Sequence, residues 1–236
     1  MNIILASHNA HKIAEINKLL LPLGGSICVF PLESIGFSGE IEENGSTFEA
    51  NSEIKAAVPI SFGKIGLADD SGLEVDALNG EPGVYSARYS GEPCDDKRNN
   101  RKLLEKLAEV PKVRRTARFV SVITLLFPEN DPLYSFDGTV LNEGTLIERT
   151  LDGDHLNEHR NYRGFSVRGE CEGVILGSER GNGGFGYDPL FYVEKFGKTF
   201  AELTSDEKNE VSHRGNAMRK FASQLDAILR SFEGKI

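Results

Sequence analysis

At 236 residues, with 39% hydrophobic and 27% charged side chains, the chain is long enough to bury a substantial core as one globular domain. A formal net charge of -9 excludes the basic surface that grips duplex nucleic acid or an anionic membrane, although a few lysines and a metal ion can still serve a polyphosphate locally. Cys28, Cys94 and Cys171 are scattered and form no CxxC pair, which excludes a disulfide framework or a cysteine-rich zinc site and points to a reducing cytoplasm. No apolar run reaches membrane-spanning length, and the opening "MNIILASHNAHK" lacks the basic region and long apolar core of a signal peptide.

Asn2 to Ala6 reads as a short buried strand, and Ile13, Ile16, Leu20 and Leu23 follow at helical spacing. "ICVF" is a second short strand, before a Gly- and Glu-rich loop. Ser46 with Glu49 forms a candidate capping box for a helix that runs toward Pro59. Ile65 to Asp70 is a strand broken by Ser71-Gly72, with "LEVDAL" alternating behind it. A polar helix carries Leu103, Leu104 and Leu107. "ARFVSVITLLF" is a long central strand, with "PLYSFDGTVL" as its antiparallel neighbour. Ala217, Phe221, Leu225, Ile228 and Phe232 stripe the last helix and face the core. Helices and strands intermix without strict βαβ alternation, which predicts a mixed-sheet α/β domain rather than a purely parallel one. There is no internal repeat and no low-complexity tract.

In "ASHNAHK", after the first strand, Ser7 and Asn9 are capping types and Lys12 falls in the first helical turn. The free backbone N–H groups, the helix dipole and Lys12 make either an anion site, with His8 and His11 as polar neighbours, or an ordinary cap beside a solvated lysine. No Walker A loop occurs. In "GLADDSGLEVDALNG", Asp69 and Asp70 end a strand side by side, which is costly unless something neutralises them. Glu40, Glu42 and Glu43 in the preceding loop offer company. Mg2+ takes hard oxygen ligands from one or two carboxylates and substrate phosphates, so the alternatives are a metal site and an Asx-type turn. Strand neighbours point to opposite faces, so one aspartate would face the site while the other braces the turn.

"GNGGFG", Gly181 to Gly186, matches G-x-G-x-x-G formally, but Tyr187-Asp188-Pro189 follows and excludes the helix that a dinucleotide fingerprint requires. It is either a loop that approaches a ligand closely, with Phe185 free to stack on a base, or a surface turn. In "SHRGNA", His213 and Arg214 precede the last helix without any G-x-S-x-G elbow; Arg214 either donates to a carbonyl-bearing base or a phosphate, or belongs to the helix entry. "HLNEH", His155 to His159, has zinc-like spacing but the wrong order, and its Gly and Asn neighbours suit a solvated loop better.

Together, "SHNAHKIAEI", "ADDSGLEVDALNGEPGVYSARYSG", "GGFGYDPLF" and "AELTSDEKNEVSHRGNA" cover most of the chain and resemble, in order, the Ham1 family of house-cleaning nucleoside triphosphate pyrophosphatases, the inosine/xanthosine triphosphatases. The resemblance implies an elongated mixed-sheet α/β fold over residues 1–236, of two lobes with a central cleft, in a cytoplasmic homodimer. It also implies Mg2+-dependent hydrolysis of noncanonical purine nucleoside triphosphates (ITP, dITP, XTP) between the α and β phosphates. Nucleic acid and membrane are not among the partners expected.

Position by position, the resemblance implies that Ser7, His8, Asn9, Ala10, His11 and Lys12 line the substrate, with Ser7, Asn9 and Lys12 on its phosphates. Lys55 and Lys208 would contact phosphate as well. Asp70 would be general base and metal ligand, Glu42 or Glu43 a second acidic contact, and Ser71 a neighbour of the substrate. Phe185 would stack on the base, Gly186, Tyr187 and Asp188 would shape its pocket, and His213 and Arg214 would read its 6-oxo edge. Donors at that edge reward hypoxanthine or xanthine and leave polar groups unpaired with adenine. One departure is the polar stretch from about Asn142 to Arg168, where the family has a short hairpin; here it is a longer hairpin, a lid or a dimer embellishment. Rival readings are a pyrophosphatase for modified pyrimidine triphosphates and a nucleotide-binding regulator without turnover. The acidic cluster and Lys12 argue against the regulator.

Overall fold

The computed structural model describes residues 1–7, 10–23, 27–151 and 160–232; the side chains of residues 10–12, 14 and 15 lie outside that description. Strand β1 (Asn2–Leu5) runs parallel to both β2 (Cys28–Pro31) and β3 (Ile65–Val75), with Ile3 opposite Val29 on one side and Ile65 on the other. Its Ile3, Ile4 and Leu5 are all buried, as a strand covered on both faces requires. The hydrogen-bonded order is β2-β1-β3-β4-β6-β7-β8, with β4 spanning Thr116–Pro128, β6 Arg160–Ile175, β7 Phe191–Val193 and β8 Lys198–Thr199. β5 (Thr145–Leu151) pairs antiparallel with β6, as do β7 with β6 and β8 with β7, so the sheet is mixed as its sequence predicts. The helices are α1 (Ala10–Leu20), α2 (Phe48–Ser61), α3 (Asp96–Lys106), α4 (Ser205–Val211) and α5 (His213–Phe232). Among the described residues, no helix is long and apolar enough to cross a membrane.

The chain divides into two compact units. The first comprises Met1–Asp70, Val122–Arg168 and Ala217–Ile236. Its main core gathers Ile3, Leu5, Leu20, Phe127 and Phe165 around the apolar stripe of α5, where Phe165 and Phe221 stack with centroids 5.9 Å apart. A second cluster joins Ile4, Ala68 and Leu126 to Ala56 and Ile60 of α2. The approach of α2 is unusually close: a Cβ at Gly66 of β3 would lie 1.9 Å from the Ala56 carbonyl oxygen, so only glycine fits there. The Ser52 hydroxyl lies 3.2 Å from the carbonyls of both Ala68 and Val122, which locks α2 onto β3 and β4. The second unit comprises Ser71–Ser121 and Gly169–Asn216. Its core centres on Phe119, which stacks on Phe200 at 5.4 Å and on His213 at 5.0 Å.

Several local expectations are corrected. Ser71-Gly72 does not break β3, because buried Leu73 and Val75 demand that the extended run continue. Thr47, not Ser46, caps α2, its hydroxyl accepting from the Ala50 N–H at 3.1 Å. The capping box lies instead at Thr204 and Glu207, ahead of α4. "PLYSFDGTVL" is no strand: Asp131 and Asp137 each accept the N–H two residues on, of Leu133 and Thr139, and wind the segment into two 3-10 turns. The neighbours of β4 are β3 and β6. His213 and Arg214 form the first turn of α5 rather than preceding it. In the 142–168 stretch, β5 and β6 pair from Thr145 with Ser166 to Leu151 with Arg160; residues 152–159, including "HLNEH", lie outside the described residues.

Candidate active site

In the first unit the acidic loop, α2 and β3 bring three predicted residues together. The packing of α2 on β3 aims Lys55 at the point where β3 ends its apolar run. There the Lys55 ammonium sits 2.8 Å from an Asp70 carboxylate oxygen and 3.3 Å from one of Glu43. The side chains of Lys55 and Asp70 are only 10% and 11% exposed, so this is an interior cluster and not a surface ion pair. Burial pushes the Asp70 carboxyl above its ordinary value, while Lys55 pulls it down and Glu43 adds to the rise. Glu42, the alternative to Glu43, is exposed. Asp69 is half-buried and engaged in contacts of its own.

Among the described residues, no group of three or more His, Cys, Asp or Glu side chains is placed to hold a metal ion. What the structure offers is two carboxylates within reach of one ammonium. That donor set fits Mg2+, which is held by one or two carboxylates and completed by phosphate oxygens and water. Ser7 follows β1, half-buried, with its N–H on the Leu5 carbonyl at 2.8 Å. His8 and Asn9 lie outside the described residues. Ala10, His11 and Lys12 open α1, and their side chains lie outside the description.

The second unit assembles another group. Phe185 is 72% exposed, with the Lys208 ammonium 5.4 Å from its ring centre. Lys208 pairs with Asp188, a carboxylate whose side chain is 5% exposed and which also accepts the Phe185 N–H at 3.1 Å. Asp188 therefore neutralises the lysine and braces the turn that presents the ring. A Cβ at Gly184 (φ 74°) would fall on that carboxylate, so the close turn needs glycine. Tyr187 is buried, donates to the Ser86 carbonyl at 2.9 Å, and is kept protonated by burial. His213 and Arg214 are half-buried in the first turn of α5. Ser71 is the first residue of this unit and half-buried. Of the lysines expected on phosphate, Lys55 pairs with Asp70 in the first unit and Lys208 with Asp188, beside Phe185, in the second.

The sequence reading missed two residues of α3 that hold this loop. Asp96 accepts the Gly186 N–H at 2.7 Å, and Asn100 donates to the Gly186 carbonyl and to Glu179, both at 3.1 Å. The available signal was weak: polar residues four apart on a helix otherwise read as solvated, of which Asn100 is 3% exposed.

A sequence model of the Ham1 family matches residues 3–157 and 154–224. Two bacterial proteins named dITP/XTP pyrophosphatase are close to the chain throughout. The one from Desulforamulus reducens is 45% identical over 232 residues, 97% of each chain. The one from Exiguobacterium sibiricum is 42% identical over 239 residues, 100% of each. Among solved structures, a HAM1 protein from Coxiella burnetii superposes with a TM-score of 0.77 at 37% identity, covering 95% of this chain and 98% of the other. The Staphylococcus aureus Ham1 protein gives 0.72 at 35% identity, covering 98% and 99%.

Proposed function

The chain belongs to the Ham1 family, and from that premise we propose that it hydrolyses noncanonical purine nucleoside triphosphates, dITP, ITP and XTP, to the monophosphate and pyrophosphate, clearing them from the nucleotide pool. The observation that carries the chemistry is the buried Asp70–Lys55 pair with the partly exposed Glu43 beside it. Asp70 takes the proton from a water molecule as that water attacks the α phosphorus. The bond from the α phosphorus to the bridging oxygen breaks, and pyrophosphate leaves with the electron pair. Asp70 and Glu43, together with phosphate oxygens, would hold Mg2+, which when bound would supply positive charge to the transferring phosphoryl group and the leaving pyrophosphate. Lys55 and Lys12 bind phosphate oxygens.

On the base side, the exposed Phe185 ring is the stacking surface, and Asp188, Asp96 and Asn100 hold its loop. Arg214 and His213 donate to the 6-oxo edge. Lys208 turns from Asp188 toward phosphate or ribose oxygens when the nucleotide is present. A homodimer in the cytoplasm completes the proposal. The experiment is pyrophosphate release from dITP, ITP, XTP, GTP, ATP and dUTP, with and without Mg2+, alongside Asp70→Asn. Turnover of dITP, ITP and XTP that needs Mg2+ and vanishes in the variant is expected. Preference for dUTP would replace this reading with the pyrimidine one, and tight binding without any release would leave a regulator.

A further inference from the structure

Asn51 stands one helical turn before Lys55 on the same face of α2, and it is completely buried. Its Oδ1 accepts the Gly45 N–H at 2.8 Å, which ties the acidic loop bearing Glu43 to the helix. The seat is made for glycine: a Cβ at residue 45 would lie 2.6 Å from that oxygen and 3.0 Å from the Asn51 backbone nitrogen. Its Nδ2 is buried and, among the described residues, makes no hydrogen bond of good geometry, although the amide lies close enough to Asp70 to favour the charged carboxylate. A buried donor without an acceptor is costly and rare, and its persistence calls for a partner in another state of the protein.

Such a state exists if the hydrolase reading holds, and the inference rests on that reading. Without nucleotide, Lys55 occupies the Asp70 carboxylate. Triphosphate oxygens compete for the same ammonium, and an Asp70 that loses Lys55 needs another donor to keep its orientation toward water. We infer that Asn51 is a positioning residue of the hydrolytic centre, whose Nδ2 donates to Asp70 when phosphate draws Lys55 away while its Oδ1 keeps the Glu43 loop seated.

Two variants separate the functions of the amide. Asn51→Asp keeps the acceptor for Gly45 and replaces the donor, whereas Asn51→Leu removes both at similar volume. Both variants should lower kcat for dITP by roughly 10- to 100-fold, the worth of one hydrogen bond to a charged group, with KM changed by no more than about threefold. A general loss of packing would instead lower the melting temperature without that split. In the wild-type protein with asparagine labelled by 15N, adding Mg2+ and a noncleavable α,β-imido analogue of dITP should move the Asn51 side-chain amide protons downfield. Folded variants with kcat within about twofold of wild type, or amide protons that do not respond to the analogue, would overturn the inference. If the variants fail to fold, the amide resonance decides alone. Absence of dITP turnover by the wild-type protein would instead remove the hydrolase reading itself.

Discussion

Replacing Lys55 by methionine keeps the side-chain length and removes a cation that contacts both carboxylates. The ammonium lies 2.8 Å from Asp70 and 3.3 Å from Glu43, with Lys55 and Asp70 almost closed to solvent. At an effective dielectric of about 20, each contact supplies roughly 5–6 kcal/mol of gross attraction, most of it offset by desolvation. Removing the cation alone leaves the desolvation cost standing, so a net loss of about 3–5 kcal/mol is expected. In a chain of this size that lowers the melting temperature by roughly 6–20 °C. The pH dependence has a definite sign. Asp70 already has a raised folded pKa, from burial acting against Lys55, and without Lys55 the rise is unopposed. A carboxyl raised in the fold contributes stability that is complete below its unfolded pKa, about 3.9, and is lost as pH rises through the folded value. The deficit of Lys55→Met against wild type should therefore be largest at neutral pH and close as the solution is acidified. Adding Asp70→Asn to the variant should recover most of the loss. Calorimetry in metal-free buffer measures all three, and a neutral-pH melting temperature within about 2 °C of wild type would refute the reasoning.

Phe185→Ala should leave stability within about 0.5 kcal/mol, since the ring is 72% exposed, yet lower kcat/KM for dITP by roughly 5- to 150-fold if a base stacks there. Steady-state kinetics beside a urea melt checks both halves. A noncleavable dITP analogue at about 100 times its Kd should stabilise the protein by about 2.7 kcal/mol with Mg2+ present and by much less after chelation, because phosphate that takes Lys55 leaves Asp70 uncompensated. Equal thermal shifts with and without chelator would refute that linkage. Cys28 is exposed and should react promptly with a disulfide reagent; Cys94 is exposed too but should react more slowly, since desolvation and the Glu92 carboxylate hold its thiol above the ordinary value, whereas burial pushes the Cys171 thiol up to about 11 and should silence it until unfolding. Thiol counts before and after denaturation test this. Gly66→Ala drives a Cβ to 1.9 Å from the Ala56 carbonyl oxygen and should cost more than about 4 kcal/mol; wild-type melting of that variant would contradict the close approach of α2.

The parts of the fold legible in advance were those where one periodicity dominates. The apolar run of β4 and the stripe from Ala217 to Ile228 on α5 serve burial alone, and both emerge as core. The misreadings arose where local polar chemistry overrides pattern. "PLYSFDGTVL" alternates like a strand, but two aspartates capture nearby N–H groups and turn the chain twice. Ser71-Gly72 reads as a break, yet extension persists because Leu73 and Val75 are needed inside, and the Leu73 N–H is satisfied at 2.9 Å by the Ser86 hydroxyl. The family motifs singled out Asp70, Lys55, Phe185 and Asp188. Asn51, Asp96 and Asn100 went unread because their meaning depends on a backbone group or carboxylate distant in sequence, as with Asn100 and Gly186.

The same dependence explains why a buried carboxylate is tolerated in each unit. Asp70 and Asp188 are both carboxylates with little solvent, and burying an unpaired charge is costly. Each is matched inside its own unit by a lysine reached from a helix, Lys55 on α2 and Lys208 on α4. Asp188 has a second anchor, the Phe185 N–H, so its loop keeps its shape when Lys208 is engaged elsewhere. Among the described residues, Asp70 has beside Lys55 no second bond of that quality, only the nearby Asn51 amide and the company of Glu43. The two lysines are therefore not equivalent. Withdrawing Lys208 costs Asp188 one partner and leaves it the Phe185 N–H, in a loop that Asp96 and Asn100 also hold, whereas withdrawing Lys55 exposes Asp70 to the cost of burial unless another positive charge or donor replaces it. A reaction that needs Asp70 both ionised and free of Lys55 consequently belongs with a ligand that brings positive charge along with its phosphates.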